Sequence, residues 1–388
     1  MQIVNRSRLP AEVFTAIDKG AREHLVVVAK ATYRFGDGGA PSLAGEQKPV
    51  LPSDTFVGEP GLSAPIYESD FVPRKTRCDL LLDAEVHTPD GREVTELPVG
   101  VQVGSFSKRF LVVGDRIWRR GALGITATKP RPFSSMRIHY GRAFGGSPPK
   151  KRRTKDAPVE QATYWPNPIG TGYAPSSTGD IAEGMPLPST EDFSDRVTSP
   201  AGSYKPLAFG PIGRHWDPRR AHAGTYDAAW RESTFPFLPE DFDEAFFQCA
   251  PPDQQIDFPE GGEPVALHHL VPGRAVVAFE LPKPDLEVRV LHSRLRGLVL
   301  TPVVDTVFIE PAAGLLTYVY RSSVALDRRG LFAVEIVAAG PVCEKWWASK
   351  VLGVQDCGCG GDPQRDPPPS PDAPPAGDGA AVEPSESP

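Results

Sequence analysis

Apolar and polar residues alternate at period two over much of the chain. Residues 25–35 (LVVVAKATYRF) are rich in Val, Thr, Tyr and Phe and predict a strand. Residues 99–119 predict strand, turn, strand, turn, strand, with turn signals at 104–108 and at Gly114-Asp115. A short strand is expected over 136–144. Two more are expected over 275–291, around Pro282-Lys283-Pro284. Residues 298–309 and 315–326 should pair around the turn at 310–314, and 331–338 closes the set. Helical period is rare. Residues 239–248 (PEDFDEAFFQ), with acids first and Ala-Pro-Pro after, predict one short helix, and 344–352 (EKWWASKVL) predicts a second.

Between 147 and 203 no period is sustained, and Pro, Gly, Ser and Asn crowd the segment. It is expected to form long ordered loops or an insertion. The expected architecture is mainly β, with two β-rich, sandwich-like lobes, long Pro/Gly-rich loops and few short helices. The divisions are an N-terminal lobe at 1–146, the loop or insertion at 147–205, and a C-terminal lobe with short helices at 206–355. A disordered, acidic, Pro-rich tail is expected at 356–388.

Composition sharpens this picture. The 388 residues include 44 prolines, roughly twice the usual ~5%, which argues against a helical bundle. Net charge is −7. Seven acids and one base after residue 355 account for −6, leaving −1 on the other 355 residues. Without a basic face, nucleic acid is not expected as the partner. The first sixteen residues lack a continuous apolar stretch, and no run of 18 apolar residues occurs, so neither a signal peptide nor a membrane span is expected. The expected compartment is the cytoplasm, with five sparse cysteines rather than a disulfide scaffold.

Chemical motifs are weak. Gly170-Thr171-Gly172 lacks the helix that a phosphate loop requires. Cys357 and Cys359 have no second ligand pair nearby, and His268-His269 would point to opposite faces of a strand. No GxSxG elbow occurs, and Cys78 has no nearby His. The basic run 150–153, with Lys155, reads as a solvated loop. No cofactor, metal or catalytic residue is therefore expected.

One cluster stands out. Tyr226, Trp230, Phe235, Phe237, Phe242, Phe246 and Phe247 place seven large aromatics within 23 residues. Such density builds a core or, in a segment interrupted by prolines, a peptide-binding surface, and the two can coexist.

Six segments in order carry a resemblance. They are GEPGLSAPIYESDFVPRKTRCDLLL (58–82), VGDRIW (113–118), PRPFSSMRIHYGRAFGG (130–146), NPIGTGY (167–173), WDPRRAHAGTYDAAW (216–230) and FPFLPEDFDEAFFQCAPPDQQ (235–255). Together they resemble the domain of unknown function 2169 family, whose members sit with type VI secretion effectors. The resemblance covers residues 1 to about 338. It implies a non-enzymatic cytoplasmic adaptor, or loading chaperone, that places a toxic effector on the secretion spike. Its partners would be that effector and the spike protein. The expected partner surface includes Trp216, Tyr226, Asp227, Trp230 and Asp241. It continues through Phe242, Phe246, Phe247, Asp253 and Gln254. Two alternatives stand beside this one: a hydrolase using carboxylates around Asp227, Asp241 and Asp243, and a structural part of the spike itself.

Overall fold

The longest strands occupy the middle of one large sheet, and their sequences show why. Glu23–Arg34 lies between Ala11–Ile17 and Leu315–Ala325, antiparallel to both. Both of its faces are covered, so it reads as a nearly continuous apolar run rather than a clean alternation. Leu25, Val27, Ala29 and Ala31 face the main hydrophobic clusters. The opposite face carries Val28 and Lys30 toward Tyr67. The structure, a computed structural model, describes residues 1–354 apart from 37, 122–123, 152–157, 176–182, 295 and 327–329.

The sheet continues from Leu315–Ala325 to Val303–Glu310, then to Cys78–Leu82 in parallel, and ends on the two-residue strand Gln255–Ile256. Ser42–Leu43 pairs on the other end of Glu23–Arg34. A second sheet of five strands runs in the order Thr190–Glu191, Phe106–Val113, Glu96–Val103, Pro264–Val271, Arg274–Glu280. A third runs Gln2–Asn5, Val334–Ala339, Val288–His292, Arg296–Leu300. The protein is mainly β, with several sheets and two short α-helices among the described residues, Ala228–Ser233 and Glu344–Leu352.

All three large sheets mix strands from before and after the 147–205 segment. The strands therefore do not sort into two sequence-local groups. Residues 1–340 form a single compact unit. The physical reason is register: the apolar edges of the early strands are completed by late ones, as in the eleven-residue pairing of Glu23–Arg34 with Leu315–Ala325. Pro341–Pro388 is a second unit. Within it the helix Glu344–Leu352 ends on Gly353 in the left-handed region (φ 72°), which satisfies the last carbonyls.

Three expectations need correction. Residues 239–248 are not one helix. Only Glu244–Phe247 is helical, as a 3-10 segment capped by the Asp243 carboxylate on the Ala245 N–H, and Glu240–Asp241 is an isolated turn. The Asp243 N–H, which a helix would direct to the Pro239 carbonyl, is taken by the His222 carbonyl instead, so the helix does not run through it. The expected strand over 298–309 breaks at Thr301-Pro302 into Arg296–Leu300 and Val303–Glu310. The expected strand over 136–144 ends at Ile138 and passes into a 3-10 turn, Tyr140–Arg142. The acidic tail from 356 on, with Cys357 and Cys359, lies outside the described residues, as do Arg152, Arg153 and Lys155 of the basic run.

Candidate functional site

The site begins with a buried polar seam on one face of the large sheet. Asp79, on the strand Cys78–Leu82, is fully buried and accepts four N–H bonds. They come from Lys75 Nζ (2.7 Å), Gln248 Nε2 (2.9 Å) and the backbone of Cys249 (2.9 Å) and Ala250 (3.1 Å). Lys75 also donates to Thr306 Oγ1 at 2.8 Å. Burial works to lower the Lys75 ammonium, but Asp79 outweighs it and holds the group above its ordinary range. Alongside, Arg321 donates to Asp305 (2.5 Å) and to the carbonyls of Asp70 (2.7 Å) and Val72 (2.9 Å). Asp70 accepts from Lys30 Nζ (3.1 Å), the Tyr67 hydroxyl (2.5 Å) and the Leu51 N–H (2.7 Å). A register shift between Val304 and Thr306 brings Asp305 and Thr306 into this seam.

The seam ties the 64–79 segment to both ends of the aromatic segment. Arg219 is buried, donates to the Ile212 (2.9 Å) and Phe246 (2.7 Å) carbonyls, and reaches Glu68 at 3.1 Å. Arg74 holds Glu244 through both carboxylate oxygens. Gln248 and Cys249 are held by Asp79 as above. Residues 216–222 and 243–250 are thus two anchored feet.

Between the feet the chain rises as an arch, residues 224–241. Its base is closed by Asp241, which accepts from the Thr225 N–H (2.9 Å) and hydroxyl (2.7 Å). Those bonds hold the Asp241 carboxyl below the usual carboxylate range. Gly224, at φ 79°, brings its backbone against Pro239 and Asp241, where a Cβ would lie 2.9–3.0 Å from both side chains. Asp227 caps the helix Ala228–Ser233 through the Trp230 N–H at 2.9 Å. Trp230 Nε1 donates to the Phe237 carbonyl across the arch at 2.9 Å. Its ring packs edge-on against Tyr226 (4.8 Å between centroids) and Phe235 (5.7 Å). The outer surface is apolar: Tyr226 is 52% exposed, Phe235 65% and Phe237 40%.

The residues named from sequence fall into three groups: arch residues, buried residues, and the half-buried or exposed Phe246, Phe247 and Asp253. Tyr226, Asp227, Trp230 and Asp241 belong to the arch and shape it. Trp216, Phe242 and Gln254 are buried. Trp216 packs edge-on against Tyr140 at 5.6 Å. Phe242 is the inner anchor, in contact with both Phe246 (5.8 Å) and Phe247 (5.4 Å). Those two are both half-buried. Gln254 accepts from the buried Lys108 at 2.8 Å and donates to the Leu80 and Phe209 carbonyls. Asp253 pairs with Lys205 at 2.7 Å. Phe235 and Phe237 belong to the aromatic cluster read from the sequence but were not among the residues named for the partner surface. The signal was present, since prolines at 236 and 239 bar these residues from a helix interior.

Other chemistry is accounted for. Of the carboxylates proposed for hydrolysis, Asp227 and Asp243 are helix or turn caps and Asp241 closes the arch. A cavity of about 170 Å³ lies beside Trp216. Its two carboxylates, Asp54 and Glu68, both pair with the guanidinium of Arg214, at 2.7 and 2.5 Å, and Glu68 also pairs with Arg219 at 3.1 Å. Burial pushes the Cys78 and Cys249 thiols well above their ordinary range, the opposite of nucleophile activation. The Gly170–Gly172 loop is a clasp: Phe144–Gly145 pairs in parallel with Thr171–Gly172, and buried Asn167 donates to the Tyr140 carbonyl at 2.8 Å. Gly145, at φ 151°, allows the approach, because a Cβ there would lie 2.1 Å from the Asn167 carbonyl oxygen. Trp118 Nε1 fastens the same clasp through the Gly172 carbonyl at 2.9 Å. Among the described residues no group of three metal-ligating side chains occurs, and no helix is long and apolar enough to cross a membrane.

The six segments that carry the resemblance are those that interlock. Segments 58–82, 216–230 and 235–255 build the seam and the arch, and 113–118, 130–146 and 167–173 build the clasp. No curated protein and no solved structure matches the chain. The family described as "uncharacterized protein conserved in bacteria" (DUF2169) matches residues 20–321, more than three quarters of the 388, and the chain belongs to that family.

Proposed function

We propose that the protein is a non-enzymatic adaptor, a loading chaperone that seats a toxic effector on the type VI secretion spike in the cytoplasm before firing. The sequence resemblance supplies the biological setting. The observation that carries the reading is the arch, which lifts three exposed aromatic side chains on a braced frame. Interface hot spots concentrate in aromatic and Arg side chains, and bracing reduces the entropy lost on binding. The capping duties of Asp227 and Asp243 and the closure of the arch by Asp241 weigh against the hydrolase alternative.

The test is association of the purified protein with the effector encoded beside it and with the spike protein. Phe235→Ala and Tyr226→Ala should each weaken capture by about 2 kcal/mol, roughly thirtyfold, with the melting temperature unchanged. Wild-type binding by both variants would move the contact surface elsewhere. Failure of the wild-type protein to bind either partner would end the adaptor reading.

A further inference from the structure

The arch carries charge as well as apolar surface. Residues 224–241 hold Asp227, Glu232, Glu240 and Asp241 against one base, Arg231, a net of −3. The open groove at its foot, about 610 Å³, is bordered by Glu240, Asp241, Asp243 and Glu244 on the arch side and by the 18–22 turn and Arg74 opposite. Most of the bases there are already committed. Arg22 pairs with Asp18 at 3.0 Å and Arg74 with Glu244, which leaves Lys19 facing Glu240, Asp241 and Asp243. Asp243 also holds His222 at 2.9 Å. The exposed aromatics are thus set beside a surplus of carboxylates, and Glu232 and Glu240 are solvent-exposed.

We infer that the occupant of this face is a protein segment presenting large apolar side chains flanked by Lys or Arg. The apolar anchors would cover Tyr226, Phe235 and Phe237, and the flanking cations would lie against Glu232 and the Glu240–Asp241 rim. An apolar segment flanked by acids would meet like charge on the same rim and be rejected, so the charge selects among apolar partners. This inference rests on the arch being the contact surface of the adaptor reading and specifies what it contacts.

The probe is a random 16-residue peptide library displayed on phage, selected on the immobilised full-length protein and counter-selected on Phe235→Ala. The expected winners combine at least two large apolar residues with a net positive charge. Binding of the synthesised winners should weaken with added salt and fall about three- to tenfold in a Glu232→Gln/Glu240→Gln variant, the range for two exposed charge pairs. Winners that depend on Phe235 but are neutral or acidic, or that bind the Gln variant as well as the wild type, overturn the charge inference and leave the arch as a contact surface. No enrichment over Phe235→Ala overturns the inference together with the arch as the contact surface. The adaptor reading itself is then judged by effector and spike capture.

Discussion

Replacing Asp79 by Asn tests whether the buried seam holds the arch in place. The exchange keeps size and shape and removes one charge. Each carboxylate oxygen now faces two N–H donors, Gln248 and Ala250 on one side, Lys75 and Cys249 on the other. Whichever way the amide turns, its NH2 group points at donors, and the Lys75 ammonium loses its nearest counter-ion. Removing one partner of a buried pair costs about 3–5 kcal/mol. At ~2.1 cal/mol/K per residue, the 340-residue unit has an unfolding entropy of about 0.7 kcal/mol/K, so the melting temperature should fall by about 4–7 °C. Asp90→Asn, at the exposed pair with Arg92, is the control and should move it by less than about 1 °C. The pH dependence has a definite sign. The folded-state pKa of Lys75 lies above its ordinary 10.5, so the contribution of the pair is complete below that value. The wild-type pair therefore contributes equally at pH 6 and pH 9, whereas in Asp79→Asn the burial of Lys75 is no longer opposed by its nearest counter-ion, so the loss should be at least as large at pH 6 as at pH 9. Differential scanning fluorimetry or calorimetry measures both. A change below 1 °C, or a loss smaller at pH 6 than at pH 9, would refute the assignment of Asp79 as the keystone of the seam.

Two further outcomes follow from burial. Lys108 is pushed down to about 8 by desolvation, against the pull of Asp253. Folding therefore disfavours its proton, and wild-type stability relative to Lys108→Met should rise between about pH 8 and 10.5, by about 3 kcal/mol at most; a flat difference curve contradicts this. Cys78 and Cys249 are buried, and neither is in a disulfide. In the native protein they should resist iodoacetamide and should label only after denaturation, as intact mass would show; rapid native labelling of either would mean the seam opens.

Strand positions were legible wherever one segment carried its own pattern. Residues 25–35 announced themselves because a strand covered on both faces is apolar throughout. Residues 99–119 did so because Gly104 and Gly114-Asp115 punctuate the run: the chain turns at 104–105, and at 114–116 it leaves one sheet for another without a turn. The partners of these strands were not legible. Val303–Glu310 pairs in parallel with Cys78–Leu82 across more than two hundred residues, and nothing in either segment alone specifies that neighbour. Cys78–Leu82 itself was not anticipated as a strand. Asp79 breaks its apolar pattern, and the reason for a buried acid lies in Lys75, Gln248 and the 249–250 backbone.

The site shows the same asymmetry at higher resolution. Aromatic density between 225 and 247 marks one segment, yet density does not separate buried positions from exposed ones. Phe242 and Phe235 are the same residue type seven positions apart. One is buried and the other is the most exposed aromatic of the arch. What separates them is the polar frame: Asp241 bonds back to Thr225 and turns the chain inward before Phe242, whereas Phe235 lies at the turn beyond the helix Ala228–Ser233. The acids between 240 and 244 first suggest a helix start or a carboxylate pair. In the fold they divide into the arch closure at Asp241, a turn cap at Asp243 and an ion pair to Arg74 at Glu244. Each of those duties fixes the feet of the arch. The buried charges of the seam make sense on the same terms. An apolar core of equal volume could supply as much stability. A network of directional bonds additionally fixes the position and orientation of the two feet, which the adaptor reading proposed above requires of a surface that presents three aromatic side chains in one arrangement.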